Sequence, residues 1–259
     1  MAEENTQEER GARTEFQESI TSGRQSALQK YKTIVTGEGG LLSLVKYELI
    51  TGLFGSCPGA VGYVLRKIFY KRLLGTCGSG VVFGRNVTLR HPANIRIGSN
   101  VIIDDNVVLD AKGGGDGITL GDNVLIARNT ILSCKGGSIS LGENTNIGMN
   151  CLFQAESMIA LASNIVVASY CYLVAGGNHG IDRIDIPIIQ QPPVSRGGIV
   201  VQDNCWLGAR STVIDGVTVR RDSVLGAGAV AIRDVPEFCV VAGVPAKIVK
   251  RRKEPAEKK

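Results

Sequence analysis

The stretch Ile97-Gly-Ser-Asn-Val-Ile-Ile103-Asp-Asp-Asn-Val-Val-Leu109-Asp110 decides how the rest of the chain is read. An aliphatic residue recurs every six positions, at Ile97, Ile103 and Leu109, and Asn100 and Asn106 stand three residues after the first two. The same frame begins at Phe83 and resumes after short breaks. It returns at Leu120, Ile126 and Leu132, then at Leu141, Ile147 and Phe153, then at Leu161, Val167 and Leu173. A final block runs Val201, Leu207, Val213, Val219, Leu225 and Ala231. Asparagine keeps its offset at Asn86, Asn123, Asn129, Asn144, Asn150, Asn164 and Asn204. Asparagine is the non-glycine residue best suited to left-handed backbone, because its short amide bonds locally. Neither helical period fits a spacing of six. A strand and a corner therefore repeat, three such units close a triangular coil, and the aliphatic side chains stack inward along its axis. The chain is predicted to be an all-β solenoid. Spacing leaves its handedness open, since the usual crossover rule favours the right hand.

Composition agrees. The chain has 259 residues, 33 of them glycine, with 44% hydrophobic residues but 5% aromatic, which suits short β-branched strands and tight corners. Seven cysteines occur with no C-x-x-C pair, so neither a disulfide framework nor a zinc site is expected, and most should be small buried residues in a reducing compartment. The net charge of +5 concentrates at Arg66, Lys67, Lys71 and Arg72 and again at Lys247, Lys250, Arg251, Arg252 and Lys253. No recognition helix, zinc finger or aromatic platform accompanies these clusters, which argues against nucleic acid.

Outside the repeat, residues 1–40 are polar, without a signal-peptide pattern, and are expected to be disordered or helical. Residues 41–76 are apolar and basic, and the glycines and Pro58 within them argue against a membrane span. Two readings stand for Leu41 to Leu73: a helical cap packed on the end of the main domain, or an amphipathic basic face lying on an anionic leaflet. The solenoid is expected over 77–245, interrupted by a loop at 174–200 and followed by a basic tail at 246–259.

The run from Val201 to Val219 contains Asn204-Cys-Trp206-Leu-Gly208-Ala, and beyond it come Leu225-Gly-Ala-Gly-Ala-Val, Arg233-Asp-Val-Pro and Val241-Ala-Gly-Val-Pro-Ala-Lys247. These motifs resemble the C-terminal signature of hexapeptide-repeat acyltransferases of the galactoside, maltose and colanic-acid O-acetyltransferase type, and the resemblance covers about Val81 to Arg251 in repeat pattern. It implies a left-handed parallel β-helix, a homotrimer with sites between subunits, acetyl-CoA as acyl donor, a sugar or other small-molecule acceptor, and no metal. The related carbonic anhydrases bind zinc through three histidines, and this chain has two.

The repeat stops after Leu173, and the intervening loop holds His179. Acyl transfer to a hydroxyl needs a base that titrates near neutrality, and the resembling enzymes place a histidine between the same blocks of coils. His179 is the candidate base, with Asp182 as its orienting carboxylate and Asp185 or Glu156 as alternatives. Asn150 and Trp206 are candidates for substrate contact. Gly208, Gly226, Ala227 and Gly228 could line a pantetheine arm, with Arg233, Lys247 and Lys250 near its phosphates. His91, in Arg90-His-Pro, reads as a corner or surface residue. Gly148 departs from the asparagine of the sugar acetyltransferases, which weakens the expectation of a free-sugar acceptor. The leading function is a cytoplasmic O-acetyltransferase, with an N-acetyltransferase and a non-catalytic β-helix scaffold as rivals.

Overall fold

A computed structural model describes residues 26–37, 39–113 and 115–252. Three parallel sheets form the walls of a triangular prism, and they are left-handed in winding as the resemblance implies. Face A runs from Thr76–Cys77 through Ile95–Ile97, Gly117–Leu120, Ser138–Leu141, Met158–Leu161 and Ile199–Val201 to Thr218–Val219. Face B begins at Val82–Phe83 and includes Val166–Val167, Trp206–Leu207, Val224–Leu225 and Cys239–Ala242. Face C begins at Thr88–Arg90 and includes Leu152–Ala155, Tyr172–Ala175, Thr212–Ile214 and Val230–Ala231. The chain visits A, B and C in turn, so each circuit is one coil and faces A and C each hold seven strands.

The hexapeptide frame is the core. Phe83, Leu89, Ile103, Leu109, Ile126, Leu132, Ile147, Phe153, Leu173, Val201, Leu207, Val213, Val219 and Leu225 are all 0% exposed. Register stacks like on like, with Leu141 beside both Leu120 and Leu161 and Leu207 beside both Val167 and Leu225. Burying each such side chain is worth about 1.5–3 kcal/mol. Between coils the strand amides are satisfied by the neighbouring rung, as in Val82 N–H to Val101 C=O at 2.8 Å.

Asparagine makes the corners. All nine predicted positions have φ between 56° and 61°. Their side chains form two ladders up the prism edges. At the B/C edge Asn86 donates to Asn106, Asn106 to Asn129 and Asn129 to Asn150, at 3.1–3.3 Å. At the A/B edge Asn100, Asn123, Asn144 and Asn164 repeat the pattern. Above Asn150 the B/C corner passes to Tyr170 and Arg210, also left-handed, with the guanidinium 5.5 Å from the ring centre.

Among the described residues three helices close the N-terminal end: α1 (Ala27–Val35), α2 (Leu41–Phe54) and α3 (Gly59–Phe69). Ser26 caps α1 with a reciprocal Gln29 contact. Tyr47, Ile50, Tyr70 and Leu73 join the core of the first coil, where the Tyr70 and Phe83 rings lie 5.5 Å apart. His91 is a buried corner at φ 50°, not a surface residue: its N–H donates to Val35 C=O, and its Nε2 lies 2.7 Å from Thr33 C=O. At the other end Lys247–Arg251, expected as tail, pairs antiparallel with Cys239–Ala242 as a charged edge strand. Five of the seven cysteines are buried and all are free.

Candidate functional site

The one long excursion from the coils spans residues 176–198, leaving face C after Ala175 and rejoining face A at Ile199. The coil it leaves is the fifth, so its base lies four coil spacings, about 20 Å, from the capped end. Gly176 and Gly177 open it at φ 91° and 72°. Glycine is needed at the first, where a Cβ would meet the Glu156 Cβ at 2.7 Å.

Two buried polar residues hold the loop. Asp215 accepts from Arg196 N–H at 2.6 Å, from Gly198 N–H at 2.8 Å and from the Ser157 hydroxyl at 3.4 Å. Gln191 donates to Arg183 C=O at 2.7 Å and accepts from Arg183 N–H at 3.3 Å. A short antiparallel pair, Asn178–His179 with Pro193–Val194, completes the frame. Sequence reading missed Asp215 and Gln191. The signal for Asp215 was a carboxylate in Ile214-Asp215-Gly216, one coil beyond the loop's return and among aliphatic residues.

Within this frame the His179 side chain is exposed and, among the described residues, receives no hydrogen bond. Asp182 is exposed too, and no hydrogen bond joins it to His179. Asp185 is engaged by Arg183 at 3.0 Å, which holds its carboxyl below the usual carboxylate range. Glu156 lies under the loop's origin, its Oε1 3.4 Å from where a Gly177 Cβ would stand and 3.8 Å from the Lys135 ammonium.

The remaining candidates fall on two edges of the prism. Arg233 follows the last face C strand and so shares the C/A edge with the His179 loop. Asn150, Trp206, Gly208, Gly226, Ala227 and Gly228 lie along or beside the B/C edge, and Lys247 pairs with Ala242 at its far end. The width of face C separates the two groups, and four residues such as Tyr172–Ala175 span on the order of 13 Å. A single chain therefore does not bring His179 to Trp206. Trp206 is 52% exposed and pairs with exposed Val166 on the neighbouring coil.

The glycines divide by cause. A Cβ at Gly208 would come 2.6 Å from Ala227 N, and one at Gly148 would come 2.6 Å from Ser169 N, so close stacking of coils requires both. At Gly148 the neighbouring coil leaves no room for a side chain. Gly228, at φ 69°, has open space where a side chain would be. A shallow groove of about 420 Å³ lies on face A between Ser140, Ala160, Val200 and Arg221, and it contains none of the predicted site residues. Among the described residues no group of three or more His, Cys, Asp or Glu is placed to hold a metal.

Residues 101–134 and 198–231 match the family described as the hexapeptide repeat of succinyl-transferase. A protein of Mycobacterium tuberculosis named as a probable acetyltransferase is 28% identical over 115 residues, 44% of this chain and 38% of that protein. The 2,3,4,5-tetrahydropyridine-2,6-dicarboxylate N-acetyltransferase of Staphylococcus aureus is 37% identical over 62 residues, 24% of this chain and 26% of that enzyme. The chain thus spans well under half the length of these two relatives. AntD, an N-acyltransferase from Bacillus cereus solved with dTDP and 3-hydroxybutyryl-CoA, shares the fold at a TM-score of 0.51. The likeness covers 73% of this chain and 88% of that one at 21% identity. The chain thus carries the hexapeptide repeat this family model describes, wound into a prism, and is similar over part of its length to acetyltransferases.

Proposed function

We propose that this protein is a coenzyme A-dependent acyltransferase that moves an acetyl group onto a hydroxyl of a sugar or glycan, in the cytoplasm, with His179 as general base. The observation that carries this reading is the 176–198 loop, which buried Asp215 and Gln191 hold in place while His179 stays open to an acceptor. His179 takes the proton as the acceptor oxygen attacks the thioester carbonyl. A carbon–oxygen bond forms, the carbon–sulfur bond breaks, and the proton passes from the imidazole to the departing thiolate. Asp182 or Glu156 would orient the ring on closure around substrate. Gly228, with open space where a side chain would be, and the small residues Gly226 and Ala227 beside it would take the pantetheine arm, with Lys247 and Arg233 as phosphate partners.

The separation of the two edges supports a homotrimer in which the C/A edge of one subunit meets the B/C edge of the next. Each site would then take His179 from one chain and Asn150, Trp206 and the glycine wall from its neighbour. An amine acceptor is the second reading, favoured by the N-acetyltransferase and N-acyltransferase names among the relatives. A neutral imidazole serves either acceptor.

Purified protein incubated with acetyl-CoA and panels of sugars and amines, followed by thiol release, tests the reading. Acceptor-dependent release should fall at least about 100-fold in His179→Ala, with the melting temperature unchanged because the side chain is exposed. No release and no coenzyme A binding by calorimetry would favour a scaffold.

A further inference from the structure

The helical cap carries a surface that the β-helix does not use. α2 buries Leu44, Tyr47 and Ile50, the last two within the core of the first coil. At 3.6 residues per turn the opposite arc, roughly 120° wide, holds Leu41, Leu42, Val45, Leu49 and Leu53. All five face solvent, with Leu42 85% and Leu53 65% exposed. A helix apolar on every side is ordinarily enclosed, and this one is covered on one side only. Its two charges are drawn to the borders: Glu48 accepts from the Tyr31 hydroxyl at 2.6 Å, and Lys46 donates to the Arg72 carbonyl. α3 continues the pattern with Val61, Val64 and Ile68 exposed.

Apart from Glu48, which the Tyr31 hydroxyl engages, the charge that follows α2 along the chain is basic. Residues 49–103 contain seven basic side chains and no acidic one. Lys67, Lys71, Arg72 and Arg85 are exposed. Arg66 is spent differently, buried and donating to Phe54 C=O, Cys57 C=O and Phe83 C=O, which locks the turn between α2 and α3 onto the first coil. The apolar face is thereby held outward on a rigid support. A second copy docking here would bring like charges together, and nucleic acid has no use for the leucines. An anionic leaflet satisfies both features.

We propose that the outer faces of α2 and α3 dock on an anionic phospholipid surface, the aliphatic side chains entering the acyl boundary and Lys67, Lys71 and Arg72 meeting headgroup phosphates. The contact is peripheral, because no helix among the described residues is long and apolar enough to cross a membrane. It stands independently of the acyl-transfer reading.

Flotation of the full chain with vesicles tests it. The protein should float with phosphatidylcholine vesicles containing phosphatidylglycerol and stay behind with phosphatidylcholine alone. Leu42→Gln with Leu49→Gln and Leu53→Gln should abolish flotation, and Lys67→Gln with Lys71→Gln should weaken it about tenfold or more while keeping the melting temperature. The lysine variant decides the matter if the leucine variant fails to fold. No flotation with anionic vesicles would overturn the proposal, as would flotation that both variants leave unchanged. So would a wild-type oligomer, seen by sedimentation without lipid, that the leucine variant dissociates, since a second copy would then cover the face.

Discussion

Asp215 and His91 show how single buried polar groups organise this protein. Asp215 brings the loop's return strand onto the prism by accepting two backbone N–H groups inside the wall. Asp215→Ala leaves both donors unpaired and should cost about 1–3 kcal/mol. Faster hydrogen exchange at residues 194–198 and a lower melting temperature would register the loss. His91 ties α1 to the first coil from a buried corner, and burial depresses its pKa against the opposing hydrogen bond to Thr33. The folded chain therefore resists protonating this ring. Its contribution to stability is complete above the unfolded value of about 6.5 and is lost as pH falls from there towards the folded value. Melting temperature should decline as pH falls below about 6.5, and His91→Asn, which tolerates the left-handed corner, should flatten that decline.

At the scale of one element, the corner explains the sequence better than the strand does. Many strands are only two residues long, as at Leu125–Ile126 and Val166–Val167, too short to be stable alone. What fixes the repeat is the left-handed residue that turns the chain and the ladder bond it makes to the next coil. Asn129 does both, with φ 61° and a 3.1 Å bond to Asn150. Asn129→Ala loses the bond and strains the corner, which should cost about 1–2 kcal/mol. Asn129→Gly keeps the backbone conformation and should lose less, a ranking that chemical denaturation of the two variants would read. Tyr170 and Arg210 occupy the same corner without the asparagine pattern, so the periodicity passed over them, and only the stacking of coils brings the guanidinium over the ring.

At the scale of the molecule, the prism places the candidate site residues on two edges. His179 projects from the C/A edge, and Trp206 with the glycine wall marks the B/C edge. If neighbouring subunits complete the site, His179→Ala and Trp206→Ala proteins, each weak alone, should recover part of the wild-type activity when unfolded together and refolded as mixed oligomers. Recovery absent from mixed oligomers would assign both residues to separate tasks. The helical cap covers the first coil at one end, and at the other the charged strand Lys247–Arg251 forms the edge of face B, where its lysines and arginines discourage pairing with further chains.

The hexapeptide frame and its asparagines were legible from sequence alone, because each coil repeats the same local demand: one buried aliphatic and one left-handed corner every six residues. The loop that carries His179 was legible as an interruption of that frame. Three things waited for the tertiary structure. Gly148 and Gly208 proved to be demanded by a coil about twenty residues away, a contact that no local pattern contains. Asp215 drew no reading from the sequence, and folding placed it beneath the return of a loop 17 residues earlier. And α2 read as a cap or as a membrane face, whereas it packs one side and exposes the other, since burial is decided by what lies opposite a side chain and not by its own hydrophobicity.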